Sequence, residues 1–294
     1  MRMSNSLALS ALLLFSCAIM PVAAQNPDTL LPEQSAAKGR QILAQLINGL
    51  GGPGYAGVRE SLCQGRRAQF GHDGGLIGYI EFNDFRRFPD KARIEFIGRG
   101  RNTILQALIG VDGLDFASGG IVITLYDGDR AWSYDRSGVN ELPVTSAGEF
   151  QEQSKRNIDN LLRLRLREPG MDIRFGGSDI VDLKQVDWVE LTDSEQRKFR
   201  LAIDRSTHFL VRAVVSTKDP EYQQINEDTT IYTNYQLRDT VWTPLQVSRE
   251  HNGRRAAQFF YETCRYNPGF PDALFTHDSL QKRFSETGDK HKKK

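Results

Sequence analysis

Histidines and cysteines are the side chains with which proteins most often bind metals or activate nucleophiles, and this chain has five of the former and three of the latter. The histidines are His72, His208, His251, His277 and His291. None falls in an HxH or HExxH spacing, and there is neither a CxxC pair nor a Gly-x-Ser-x-Gly turn. Zinc sites, redox pairs and nucleophile elbows require such spacings. The sequence therefore predicts a protein that is not an enzyme, with no catalytic residue, no metal and no cofactor.

Net charge narrows the choice of partners. Lys and Arg number 38 against 37 Asp and Glu, a formal charge of +1 over 294 residues, and 39% of the residues are hydrophobic. Nucleic-acid binding usually needs a basic stripe or a high isoelectric point, so no nucleic-acid partner is expected. The composition is that of a globular protein rather than a disordered or fibrous one.

The first 24 residues have the layout of a secretory signal peptide. Arg2 precedes an apolar run over 7–20, and small side chains lead up to Ala24. A charged start, a short apolar centre and a small-residue cleavage site predict export, here to the periplasm. The run is shorter than the ~20 residues that span a bilayer, so no transmembrane span is expected in the mature chain. In an alternative interpretation, Cys17 is lipidated and anchors the protein.

Removal of the signal peptide leaves two cysteines, Cys63 and Cys264. Two cysteines in an exported protein favour one disulfide, although two buried free thiols are the alternative. The disulfide would tie the first strand to the last and close a loop of about 200 residues. Chain-entropy arithmetic then gives a stabilisation of roughly 4–5 kcal/mol.

The spacing of hydrophobic residues predicts the helices and strands of the domain. Apolar residues recur at spacings of three and four over 36–50, which indicates an amphipathic helix. A second helix is predicted over 147–168, with Ser146 and Glu149 as its capping box. Elsewhere apolar and polar residues alternate, and Asp127-Gly128 marks a tight hairpin. Alternation gives about eleven strands joined mostly by short turns, so neighbouring strands should be antiparallel.

The predicted fold is mainly β: one strongly curved antiparallel sheet, a half-barrel of about eleven strands, with two or three helices over its concave apolar face. Such strands have one dry face, and two short helices would cover only part of it. The domain is predicted to occupy 36–276. A linker over 25–35 precedes it, and a disordered basic tail over 277–294 follows it.

An ordered series of motifs resembles the LolA/LolB-like superfamily of periplasmic lipoprotein carriers and outer-membrane lipoprotein-sorting proteins. The motifs are the first helix, GLIGY at 75–79, RRFPDK at 86–91, Asp127-Gly128 with Trp132 and Tyr134, the helix at 147–168, and NPGFPDALF at 267–275. One departure concerns Arg87, which Phe88 separates from Pro89, whereas an Arg beside a Pro helps to hold the carrier shut.

This resemblance implies a non-enzymatic periplasmic carrier or binder of lipoprotein acyl chains or lipid, with a role in outer-membrane biogenesis. Candidate residues for the hydrophobic cavity are Ile80, Phe82, Ile94, Phe96, Trp132, Phe175, Leu201, Ile203, Phe259 and Tyr261. Each of them would serve equally well as ordinary core. The main alternative function is a protein-interaction or envelope-stress sensing module resembling RseB, with a transient envelope-protein partner.

Two further sets of residues are candidates for contact with the ligand. Arg86, Arg87 and Lys91 could bind a polar head group, or else be solvated turn charges. The segment 103–120 is unusually apolar for a connection between strands, and its candidates for a plug or lid are Ile104, Leu105, Leu108 and Ile109. Contact with a membrane or a partner, and a fixed cover over a sheet edge, are the other interpretations of this segment.

Overall fold

The computed structural model describes residues 29–71, 74–98, 120–218 and 223–292. The predicted signal peptide and the plug candidates Ile104, Leu105, Leu108 and Ile109 lie outside these ranges. The described residues form one antiparallel sheet whose strands are β1 Glu60–Phe70, β2 Leu76–Arg87, β3 Lys91–Ile97, β4 Ile121–Asp127, β5 Arg130–Asp135, β6 Gly138–Glu141, β7 Asp172–Val181, β8 Lys184–Thr192, β9 Lys198–Asp204, β10 Leu210–Lys218, β11 Ile225–Arg238, β12 Val241–His251 and β13 Arg254–Tyr266.

Five α-helices accompany the sheet in the described part of the chain. They are α1 Pro32–Gly49, α2 Pro53–Ala56, α3 Val144–Arg156, α4 Ile158–Asn160 and α5 His277–Lys292. A π-helical turn over Leu161–Arg165 follows α4, and a 3-10 turn over Asp272–Phe275 precedes α5. The expectation of two or three helices is therefore too low, because short helical segments flank the long ones.

The strand order is β6-β5-β4-β3-β2-β1-β13-β12-β11-β10-β9-β8-β7. Because β6 and β7 end this order and do not pair, the sheet is open rather than closed into a barrel. The described thirteen strands exceed the eleven expected. Strand β1 carries Ser61, Cys63, Gly65 and Arg67 on one face and so lacks apolar alternation, and β6 has only four residues.

Strands β1 and β13, the first and last along the chain, pair with each other near the middle of the sheet. Cys63 on β1 stands directly opposite Cys264 on β13, and the two form a disulfide with their Cα atoms 4.2 Å apart. The predicted disulfide between the first and last strands is thereby confirmed. It links two strands that also share a hydrogen-bonded ladder.

The mid-chain helix differs from the prediction at both ends. It begins at Val144 after Pro143, whose side chain offers no cap, so the predicted capping box at Ser146 and Glu149 is wrong. It stops at Asn157, which has an extended backbone (φ −69°, ψ 127°). The Asn157 side chain then accepts a hydrogen bond from the Asn160 N–H at 3.0 Å, which starts the short helix α4.

The prediction of a disordered tail from residue 277 is also wrong. The segment His277–Lys292 is helix α5, and its Leu280 is fully buried. Phe275 and Leu280 pack on Ile123, Leu125 and other side chains of β4 and β5. The overall composition of this segment is polar, but Leu280 is buried against the sheet and the ring of Phe284 lies 6.4 Å from that of Tyr134.

Residues that are paired across antiparallel strands lie on the same face of the sheet. We call the face that contacts α1 the inner face, and the opposite one the outer face. On the inner face, the backbone N–H of Phe175 in β7 donates a hydrogen bond to the Ser35 hydroxyl of α1, and that hydroxyl donates one to the Phe175 carbonyl oxygen. Following the pairing across the sheet places Tyr126 of β4 on the inner face and Ile123, under α5, on the outer one.

Candidate functional site

The inner face has two parts that differ in what covers them. The packed half is the inner face of β7–β10, with Phe175, Leu201 and Ile203. The aromatic half is the inner face of β1–β3, β12 and β13, with Phe82, Phe96 and Phe259 among its side chains. Nine of the ten cavity candidates lie in these two parts.

Helix α1 fills the packed half. Phe175, Leu201 and Ile203 are each no more than 1% exposed and belong to one cluster with Leu43 and Leu46 of α1. Gly39 allows this close fit, because a Cβ atom there would stand 3.0 Å from the backbone carbonyl carbon of Arg174. These three cavity candidates are therefore packed core.

The aromatic half is built around a glycine in the middle of the sheet. Gly65 of β1 pairs with Phe82 on one side and with Tyr261 on the other. A Cβ atom at Gly65 would clash with the backbone of Phe260, and the rings of Phe82 and Tyr261 meet across this position with centroids 5.7 Å apart. Phe82 also meets Phe259 edge-on at 5.7 Å, and Phe259 stacks on Tyr261 at 6.1 Å.

Six cavity candidates share this aromatic half. Their positions are Ile80 and Phe82 on β2, Ile94 and Phe96 on β3, and Phe259 and Tyr261 on β13. Ile80 and Phe82 are buried, whereas the other four remain partly accessible to solvent. The described helices thus leave an apolar surface on the inner side of the sheet incompletely covered.

Trp132 does not join the other candidates. It lies on the outer face of β5, in the cluster formed with Phe275 and Leu280 under the C-terminal helix α5, and its ring stands 5.8 Å from that of His277. Alternation along β5 could not distinguish the two faces, because helices cover both of them at this edge of the sheet.

The three head-group candidates are engaged in ion pairs. Arg86 lies 2.9 Å from Asp84, Arg87 lies 2.9 Å from Glu60, and Lys91 lies 2.7 Å from Asp127. Arg87 also pairs with Asp272, and so ties the outer face to the 3-10 turn before α5. Burial opposes the charge of the Arg86 guanidinium, but Asp84 outweighs that cost and raises the pKa of Arg86.

Sequence reasoning missed two arginines that lie over the aromatic half. The Arg67 guanidinium carbon is 5.9 Å from the Phe96 ring centroid and 6.0 Å from that of Phe259. The Arg249 guanidinium carbon is 5.0 Å from the Phe259 centroid. The signal for Arg249 was present, because it continues the apolar phase of Leu245 and Val247 on β12. A charge in an apolar phase marks a position that differs from ordinary core.

Helix α3 crosses the inner face. Its Phe150 stacks on Tyr126 of β4 with centroids 4.1 Å apart, and its Arg156 pairs with Asp228 of β11 at 3.3 Å. Strands β4 and β11 are six positions apart in the sheet. Six strand spacings amount to about 29 Å in a flat sheet, whereas residues 150 and 156 are about 9 Å apart along a helix.

A buried ionic network fixes the C-terminal end of α3. Asp193, in the β8–β9 turn, accepts hydrogen bonds from Arg197 at 2.9 Å and from Arg165 at 3.0 Å. Arg197 also reaches Glu152 of α3 at 2.7 Å. Burial alone would raise the pKa of Asp193, but the backbone N–H of Arg197 and the two guanidinium groups hold it below its ordinary value.

Tyrosines line a small cavity between α4 and strands β11 and β12. Tyr55 donates a hydrogen bond to Asp159 at 2.8 Å, and burial raises the pKa of Tyr55. Burial likewise raises the pKa of Tyr266, to about 12. The volume of this cavity is about 60 Å³. That is room for water but far below the roughly 300–1,000 Å³ of sites for drug-sized ligands.

Across the described ranges, no three His, Cys, Asp or Glu side chains gather as ligands for a metal ion. Within the same ranges, each helix is too short or too polar to cross a bilayer.

Comparison with solved structures shows that this chain has a LolA-like fold. A DUF1329 family protein from Desulfovibrio piger superposes with a TM-score of 0.55 at 15% identity, covering 84% of this chain and 99% of its own. A LolA superfamily protein from Nitrosomonas europaea gives 0.50 at 13% identity, with the same coverage. No protein-family model matches the sequence, and no curated protein is significantly similar to it.

Proposed function

We propose that this protein is an exported, non-enzymatic carrier of lipoprotein acyl chains or another lipid in the bacterial cell envelope, and that its ligand lies along the aromatic half. The observation that carries this proposal is the partial exposure of Ile94, Phe96, Phe259 and Tyr261 on the side of the sheet that should be driest. Apolar surface of this kind is kept at a cost in solvation unless something covers it.

The curvature of the sheet supports the same site. One helix, α3, reaches both β4 and β11, which a flat sheet would hold too far apart. A sheet that bends around α3, with the aromatic half at its centre, would agree with the strongly curved half-barrel expected from the sequence. A curved surface covers more of an alkyl chain than a flat one does.

The energetics favour reversible binding. Each buried methylene contributes about 0.8 kcal/mol, so a sixteen-carbon chain offers roughly 13 kcal/mol in gross terms. Association and ordering offset about 4–15 kcal/mol of this. A surface that covers part of the chain therefore holds it loosely enough to release it, which suits a shuttle.

Export has support of its own. The Cys63–Cys264 disulfide belongs to an oxidising compartment, which agrees with a signal peptide over 1–24 and a periplasmic location. The likeness to a LolA superfamily protein shows the fold alone, so the ligand is inferred from the surface described above.

Native mass spectrometry of the protein purified from its own envelope tests the proposal. A co-purified lipid mass, and its loss on delipidation, are expected. An empty protein that instead captures one envelope polypeptide would overturn the carrier function and favour the protein-interaction module.

Two adjacent residues provide matched variants for binding in vitro. Phe259 faces the aromatic half, and Phe260 lies on the outer face beside Tyr79, with ring centroids 6.2 Å apart. Phe259→Ala should weaken palmitate binding by about tenfold, whereas Phe260→Ala should leave it unchanged. Equal effects of the two substitutions would contradict the proposed site.

A further inference from the structure

Charge on the aromatic half points to the chemistry of the ligand. Of the cationic groups named above, Arg86 is paired with Asp84, and Arg156 is paired with Asp228. Arg249 differs, because no carboxylate of the described residues lies within ion-pair distance of it. Its contact is with the ring of Phe259, at 5.0 Å.

Arg67 and Arg249 approach the same ring from neighbouring strands. Phe259 of β13 pairs with Arg67 of β1 on one side and with Val247 of β12, next to Arg249 on the same face, on the other. Their guanidinium carbons lie 6.0 Å and 5.0 Å from its centroid, which bounds their separation at 11.0 Å. Both guanidinium groups therefore lie beside the Phe259 ring, which an alkyl chain on the aromatic half would contact.

Arginine is the side chain best suited to hold an oxyanion beside an apolar surface. Its planar fork donates two parallel hydrogen bonds to a carboxylate or phosphate, it stacks on aromatic rings, and it is less strongly hydrated than lysine. An alkyl chain on Phe82, Phe96 and Phe259 would place a terminal anion between the two arginines. A neutral terminus would offer Arg249 no anion, and a cationic terminus would be repelled by it.

We infer that the ligand is an anionic amphiphile, and that Arg67 and Arg249 bind its phosphate or carboxylate while the aromatic half binds its chain. This inference rests on the proposed carrier function. It moves the head-group site from Arg86, Arg87 and Lys91 to Arg67 and Arg249, whose guanidinium groups lie near the ring of Phe259.

The test compares ligands that share a chain and differ in charge. Dodecyl phosphate, dodecanol and dodecyltrimethylammonium are titrated below their micellar concentrations into the full delipidated protein. Dodecyl phosphate should bind at least about tenfold more tightly than the other two, and the preference should shrink as salt is added. Inorganic phosphate alone, at millimolar concentration, should not displace it.

Matched variants separate the site from charge in general. Arg67→Gln combined with Arg249→Gln should abolish the preference for dodecyl phosphate and leave dodecanol binding unchanged. Arg66→Gln is the control, because Arg66 is adjacent to Arg67 but lies on the outer face, where it pairs with Glu262 at 3.3 Å. If the double variant fails to fold, Arg249→Gln alone, at an exposed position, should still reduce the preference.

The outcomes are distinguishable. Equal binding of dodecyl phosphate and dodecanol, or a preference that survives in the double variant, would overturn the inference and leave the carrier function standing. Inorganic phosphate that binds as tightly as dodecyl phosphate would also overturn it, since the site would then bind a free anion. If no amphiphile binds at all, the proposed function itself fails.

Discussion

The packed half and the aromatic half are parts of one face of one sheet, and both consist of alternating apolar side chains. They differ in what lies against the sheet. In the packed half Gly39 lets α1 approach the sheet closely and fill the space. In the aromatic half the described helices leave Ile94, Phe96, Phe259 and Tyr261 partly exposed. Core and binding surface therefore differ in what covers them, not in the pattern of the strands.

The largest effect is expected in the packed half. Phe175→Ala removes a ring that is 1% exposed, and should lower the free energy of unfolding by about 3–5 kcal/mol. Chemical denaturation measures this change. Palmitate affinity of the folded variant should equal that of the unsubstituted protein. A loss of affinity without a loss of stability would reverse the assignment of the two halves.

The disulfide tests whether the two halves unfold together. Replacing Cys63 and Cys264 by serine should lower the free energy of unfolding by about 2–5 kcal/mol, because the loop that they close spans a sequence separation of 201 residues. A single denaturation transition at lower denaturant is expected when intrinsic tyrosine and tryptophan fluorescence and circular dichroism are both followed. Two separate transitions would show that the halves are independent units.

Acid should weaken the contact that holds α3 over the inner face. The folded-state pKa of Asp193 is depressed, so its stabilisation is complete above the ordinary Asp value of 3.8 and is lost as the pH falls through the lower folded-state value. Asp193→Asn should cost about 2–3 kcal/mol at neutral pH and flatten the decline in stability below pH ~4. Denaturation at several pH values checks both effects. An unchanged acid slope would contradict the role given to Asp193.

The smallest effect on stability is expected in the aromatic half. Phe96→Ala should cost only about 1 kcal/mol, because this ring is already partly exposed. The same substitution should weaken palmitate binding by about tenfold. Phe96→Ala should therefore reduce mainly affinity, whereas Phe175→Ala should reduce mainly stability. A large loss of stability in Phe96→Ala would mean that the aromatic half is core as well.

Alternation along the chain predicted most of the fold. It placed the strands from Leu76 onward except the four-residue β6, together with the antiparallel neighbours and the Asp127-Gly128 turn, because each of these depends on a local pattern. It fell short at β1, where Cys63, Gly65 and Arg67 share a face without any apolar residue among them. The opposite face of β1 buries Leu62 and Ala68, but the polar Gln64 and Arg66 lie between them, so no apolar alternation marks the strand.

The candidate site was predictable in part for a similar reason. Six of the ten cavity candidates meet on the aromatic half. Period two cannot say which part of a face a helix will fill, as at Phe175, nor which face a residue such as Trp132 will take. Arg67 depends on pairing between β1 and β13, whose residues are far apart in sequence. Only Arg249 could be recognised locally, because it is a charged residue where the alternation of Leu245 and Val247 on β12 calls for an apolar one.

Photochemical mapping of a bound fatty acid tests the central claim most directly. Palmitate carrying a diazirine is bound to the delipidated protein, irradiated, and its adducts are located by peptide sequencing in the mass spectrometer. The account predicts adducts on inner-face residues of β2, β3 and β13, such as Phe82, Phe96 and Tyr261, that excess palmitate removes. Adducts confined to the outer face, for example on Tyr79 or Phe260, or adducts that excess palmitate leaves in place, would contradict it.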